Sequence, residues 1–113
     1  MAQNRNKLIG LFIGNISNSV VHKVLEMAAA EEELANKYNK ELTTSFEIAK
    51  KYREKINPAS APLPENDISH IRNKITSKVI SELKLRISKG YENIDLDLVE
   101  EFVDEKLKDA NVA

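Results

Sequence analysis

The chain has 113 residues, with seventeen basic against eighteen acidic side chains and no cysteine. That length builds one modest core and not two ordinary domains, so residues 1–113 are expected to form a single helical domain. Near-neutral charge points to no strongly charged partner, and the missing thiols exclude a disulfide framework, a thiolate metal site and a cysteine nucleophile.

Only three glycines and three prolines stand among many Lys, Glu, Leu, Ile and Ala residues, which favours helix over sheet. Residues 1–6 are polar and expected to fray. Lys7 to Ile13 follows, with Leu8, Ile9, Leu11, Phe12 and Ile13 leaving no polar face. Such a short helix must be enclosed by others or sit in a subunit contact. Gly14-Asn15 is the first punctuation. The longest apolar stretch, Leu8 to Ile13, is far too short for a bilayer, so no membrane span is expected and the cytoplasm is the expected compartment.

From Ile16 to Ile56 there is neither glycine nor proline, and Ile16, Val20, Val24, Met27, Leu34, Tyr38, Leu42, Phe46, Ala49, Tyr52 and Ile56 keep a seam close to a heptad repeat. Two arrangements fit. One is a single helix over residues 16–56, about 60 Å long at helical rise. The other is a hairpin broken near Glu31 or before Thr44, where Thr44-Ser45-Phe46-Glu47 spells a capping box. The run Ala28-Ala29-Ala30-Glu31-Glu32-Glu33 consists of strong helix formers and tips the expectation toward the long helix.

Asn57 to Pro64, with three prolines, reads as a stiff connector. Beyond it Ile68, Ile71, Ile75, Val79, Leu83 and Ile87 recur at spacings of three and four, the mark of one buried helical face. Asn66 or Asp67 can cap that helix, and Gly90 stands where a left-handed terminating residue belongs. A last helix starts at Asp95 or Asp97 and buries Leu98, Val99, Phe102, Val103 and Leu107, with residues 109–113 expected to fray. The expected fold is all-α: a small bundle of three to four main helices plus a short amino-terminal one.

The chemistry-bearing residues are sparse. Between Ser69 and Tyr91 lie six basic side chains against one acidic, and between Glu92 and Ala113 eight acidic against two basic. Two successive helices that fold back and neutralise each other account for this better than a phosphate-binding face does. Arg72 and Arg86 project near the apolar stripe about 21 Å apart, as candidates for an anion pocket or for ion pairs, Arg86 with Glu100, Glu101 or Asp104. His22 with Glu26, and Asp67 with His70, have helical metal-pair spacing but not the full carboxylate set of a bundle metal site, and both histidines point away from the apolar stripes. Ser19, His22 and Glu26 align on one helix face without the pocket and oxyanion site that a triad needs. No metal, cofactor or catalytic residue is expected.

The leading expectation is therefore a small non-catalytic structural or interaction protein that self-associates as a homodimer. Leu8, Leu11, Phe12, Tyr38, Phe46 and Tyr52 are the candidate contact residues. A nucleic-acid accessory role for the basic helix 69–91 is the alternative, and a small metal-dependent enzyme is the distant one. Nucleic acid is not the expected partner.

Overall fold

The computed structural model describes residues 4–57 and 61–112, so Met1 to Gln3 of the polar start and residues 58–60 of the proline connector lie outside the described residues. Four helices follow one another: α1 (Arg5–Ala28), α2 (Glu32–Ile56), α3 (Glu65–Ser88) and, after a short 3-10 turn at Leu96–Leu98, α4 (Val99–Asp109). The all-helical bundle read from the sequence is the fold.

The centre of that bundle is α1. It packs against each of the other three helices, and its buried residues, among them Leu8, Phe12, Ile16, Val20, Val24 and Leu25, point in almost every direction around its axis. The apolar stretch Lys7–Ile13 is no separate helix but the first turns of this one, continuous through Gly14-Asn15. A mid-helix glycine costs about 1 kcal/mol against alanine, less than the burial of either Phe12 or Ile16 on the flanking turns returns. The Asn15 side-chain amide also donates to the Leu11 carbonyl at 2.8 Å, which keeps its polar group on the helix.

Residues 16–56 are a hairpin and not one long helix. The chain leaves the helical conformation at Ala29 (φ −71, ψ 128) and re-enters after Glu31 (φ −104, ψ 134). Helix propensity favours continuity here by only tenths of a kcal/mol per residue. Folding back covers Ile16, Val20 and Val24 against α2, and each such side chain contributes roughly 1.5–3 kcal/mol on burial. Burial wins by an order of magnitude. Glu32 and Glu33 then fall in the first turn of α2, where the helix dipole favours acids. The capping-box spelling at Thr44 opens no helix, since α2 runs through it unbroken.

A row of polar contacts sets the register of the hairpin. Asn18 donates to Ser45 Oγ at 2.6 Å, Ser19 Oγ to the Leu42 carbonyl at 2.9 Å, and Asn39 to the Glu26 carboxylate at 2.7 Å, with His22 beside Glu41 between them. Numbers fall along α2 as they rise along α1, as antiparallel packing demands.

The third helix runs parallel to α1. Arg5 pairs with Asp67 near the start of both, and Val21 and Arg86 share a recess near their ends. It opens at Glu65, with Pro64 and not Asn66 or Asp67 at the capping position. It closes in a Schellman arrangement: Tyr91 N–H to the Arg86 carbonyl at 3.1 Å, Gly90 N–H to Ile87 at 3.0 Å, and Gly90 at φ +100. The stripe Ile71, Ile75, Val79 and Leu83 is fully buried, but Ile87 is not. The reason is length: α4 has 11 residues against the 24 of α3, about 16 Å against 36 Å, and its cover stops before the last turns.

Residues 109–112 do not fray. Asn111 takes the left-handed conformation (φ 62), Val112 N–H reaches the Leu107 carbonyl at 2.9 Å, and Val112 is buried. By length and composition α1 is a helix that could cross a membrane, but most of its apolar window is buried against its neighbours.

Candidate functional site

His22 is inside the protein, between α1 and α2, and not on the surface. Its Nδ1–H donates to the Asn18 carbonyl at 2.7 Å, its Nε2 lies 2.5 Å from a Glu41 carboxylate oxygen, and its ring meets that of Tyr38 at 5.8 Å between centroids. An isolated helical projection misses this because α2 wraps over that side. Glu26, the partner that spacing suggested, turns instead to Asn39 and Lys23. Ser19 is spent on the Leu42 carbonyl, so Ser19, His22 and Glu26 form no relay. His70 is exposed, and its spacing partner Asp67 is held by Arg5. Among the described residues no three His, Cys, Asp or Glu side chains converge as metal ligands would.

The two arginines singled out by sequence both make ion pairs. Arg72 grips Asp104 of α4 through two hydrogen bonds, at 2.6 and 3.1 Å, and that hydrogen bonding raises its pKa. Arg86 pairs with Glu82 of its own helix at 3.1 Å, and not with the acids of α4. The buried arginine that sequence reasoning passed over is Arg53. Its guanidinium donates to the Asn111 carbonyl at 3.0 Å, Asn57 Oδ1 at 2.6 Å and the Ala61 carbonyl at 2.8 Å. Burial lowers its pKa. Two of those acceptors are backbone oxygens, which no sequence pattern advertises.

The candidate contact residues divide. Leu8 and Phe12 lie in the chain's own core, so they offer no surface to a partner. Leu11 is half-buried, and Tyr38, Phe46 and Tyr52 are half-buried against the core. Lysines cover two of those rings: Lys106 and Lys50 stand 4.5 and 5.2 Å from the Phe46 centroid, and Lys55 stands 5.7 Å from that of Tyr52.

Exposed apolar surface is found elsewhere, and it is concentrated. The large hydrophobic side chains left open are Met27, Leu34, Ile48, Leu85, Ile87 and Tyr91. All but Ile48 belong to one end of the bundle, where α1 stops, α2 starts and α3 stops. Leu34 and Tyr91 line a shared recess of about 230 Å3 there, floored by Leu25, Tyr38 and Ile94. Charges of both signs flank it: Glu31, Glu32 and Glu33 at the start of α2, Lys84 and Lys89 at the end of α3, all exposed. Among the described residues none of these five has an opposite charge within 4 Å. Met27, Leu34 and Ile87 read as buried seam in the sequence. The signal that could have placed them is the shortness of the last helix, which cannot cover the far end of α3. Compared with known proteins, the chain matches no family, no curated protein and no solved structure.

Proposed function

We propose that the chain is a non-catalytic helical interaction domain that self-associates, pairing two copies through the open end of the bundle. The observation that supports this reading is that Met27, Leu34, Leu85, Ile87 and Tyr91, each between 39% and 58% exposed, all lie toward that end, with Leu34 and Tyr91 lining one recess. The enclosed amino-terminal turns of α1 no longer argue for a dimer. The open end does so on different grounds. A two-fold axis through it sets the Glu31–Glu33 run of one copy opposite Lys84 and Lys89 of the other, and repeats that match on the second side.

Size limits the affinity. With transverse extents of 24 × 23 Å, an end-to-end contact covers roughly 500 Å2 per copy, below the ~800 Å2 per partner of a standard interface. The expected dimer is reversible, with a dissociation constant in the micromolar range or weaker.

Light scattering across a concentration series tests the reading. The wild-type mass should rise toward twice 12.8 kDa, and Leu34→Glu with Ile87→Ser should hold it at the monomer while the chain stays folded, at a cost of about 2 kcal/mol for two part-buried side chains. Charge reversal sharpens the test. The pair Glu32→Lys, Glu33→Lys and the pair Lys84→Glu, Lys89→Glu should each be monomeric alone and form a mixed dimer when combined. A wild-type protein that stays monomeric at hundreds of micromolar would sink the proposal.

A further inference from the structure

A second feature lies on the flank, away from the open end. Where α1 and α3 run parallel, two cavities follow one another along the helix pair and share Lys78. The larger, about 510 Å3, has Ile9, Gly10 and Ile13 on the α1 side, with His70, Lys74 and Lys78 on the α3 side. The smaller, about 170 Å3, lies between Gly14, Ser17 and Val21 of α1 and Lys78 and Arg86 of α3. The larger falls within the ~300–1,000 Å3 typical of small-molecule pockets, and the smaller has room only for a head group beside it.

Three observations bear on what would fit. The Gly10 and Gly14 positions leave bare backbone, and a Cβ added at either would meet nothing within 4 Å. The charge lining is cationic in effect: Asp67 is held by Arg5 and Glu82 by Arg86, while among the described residues Lys74 and Lys78 have no carboxylate within 4 Å. Ser17, which lines the smaller cavity, is only 2% exposed, and its Oγ has no hydrogen-bond partner. A buried hydroxyl without a partner carries a desolvation cost that a ligand acceptor would remove.

We infer that this groove binds a single-chain amphiphile with an anionic head. The head sits in the smaller recess, accepting from Ser17 Oγ–H and Lys78 Nζ. The alkyl chain lies along Ile9, bare Gly10 and Ile13, with the lysine stems closing over it. Neither cavity is lined by Phe, Tyr or Trp, and the exposed His70 imidazole is the one ring on the larger, so a nucleotide base would find little to stack on. The inference does not rest on self-association, since the groove is lined from Asn6 to Val21 of α1 and from Asp67 to Arg86 of α3 and shares no lining residue with the exposed apolar set at the open end.

Titration calorimetry with laurate, held below its micelle concentration, tests it on the full chain. Saturable binding is expected, with neutral dodecanol at least tenfold weaker. Gly10→Leu fills the chain path in a helix that has space for it, so Tm should hold or rise while laurate affinity falls tenfold or more. Ser17→Ala should weaken binding about fivefold, again without loss of Tm, and Lys78→Gln about as much. A second arm uses vesicles of phosphatidylglycerol: co-sedimentation abolished by Gly10→Leu assigns the same groove to a bilayer lipid, whereas laurate binding without vesicle binding assigns it to free amphiphiles. Absence of binding in both arms, dodecanol binding as tightly as laurate, or affinities indifferent to Gly10→Leu and Ser17→Ala overturns the inference.

Discussion

The two ends of the bundle are built on opposite terms. At the closed end α2 stops, α3 starts and α4 finishes, and a buried arginine ties all of them together: Arg53 reaches Asn57, Ala61 and Asn111. Ile56, Leu63, Ala110 and Val112, next to those acceptors in the chain, are buried. At the open end the helices stop with apolar side chains in water and charges unmatched. One end spends a charge on internal order; the other keeps apolar surface available for contact. A fold whose two ends differ in this way has its buried polar tie and its exposed apolar side chains separated along one axis, so each can be changed without disturbing the other.

Breaking the closed end should have the largest effect. Arg53→Ala removes three hydrogen bonds made by a buried cation together with the packing of its stem, which should cost about 2–3 kcal/mol, read as a fall in the urea midpoint. Arg53→Lys should recover less than half of that, because an ammonium cannot reproduce the planar fork. A loss below 1 kcal/mol for Arg53→Ala would remove the contrast between the ends.

Next comes a backbone change at the open end. Gly90 sits at φ +100 with open space around its Cα, so Gly90→Ala meets no neighbour and registers only backbone strain, about 1 kcal/mol. The same denaturant titration measures it, and the monomer–dimer balance should shift with it only slightly.

The smallest effect is a pH dependence near the same end. Burial raises the Tyr38 pKa above its ordinary value near 10, with Tyr91 and Glu41 adding to the rise and Arg86 opposing it. The folded pKa lies above the unfolded one, so the contribution is complete below pH 10 and fades as pH climbs through the folded value. Stability measured from pH 9 upward should fall more steeply in the wild type than in Tyr38→Phe, and identical slopes would refute the assignment.

What could be read in advance follows the same division. The α3 stripe from Ile71 to Leu83 and the stop at Gly90 are local patterns with local causes, and both stand. The break between α1 and α2 was open as one of two arrangements, near Glu31, but local propensity ranked it second: Ala29 and Glu31 are extended, at angles any residue adopts, so the turn needs no glycine or proline to mark it. Periodicity told which face of α3 is apolar, not where α4 runs out, and Ile87 was misplaced for that reason. His22 looks outward on an isolated helix and becomes buried only once α2 is laid beside it. Arg53 was invisible because its acceptors include carbonyls eight and fifty-eight residues away.

The central position of α1 also governs the order in which the fold can assemble. Its side-chain hydrogen bonds to α2 link residues 13 to 27 apart, whereas its ion pair with α3 joins Arg5 to Asp67 across 62. Each doubling of the closed loop costs about 0.6 kcal/mol more in chain entropy, so the hairpin is the faster closure and the parallel helix the slower one. Until α3 and α4 arrive, Phe12, Ile16 and Val20 are covered on one side only. The fold is not sealed until Asn111 meets Arg53, which leaves that half-covered hairpin as the species most prone to aggregate during folding.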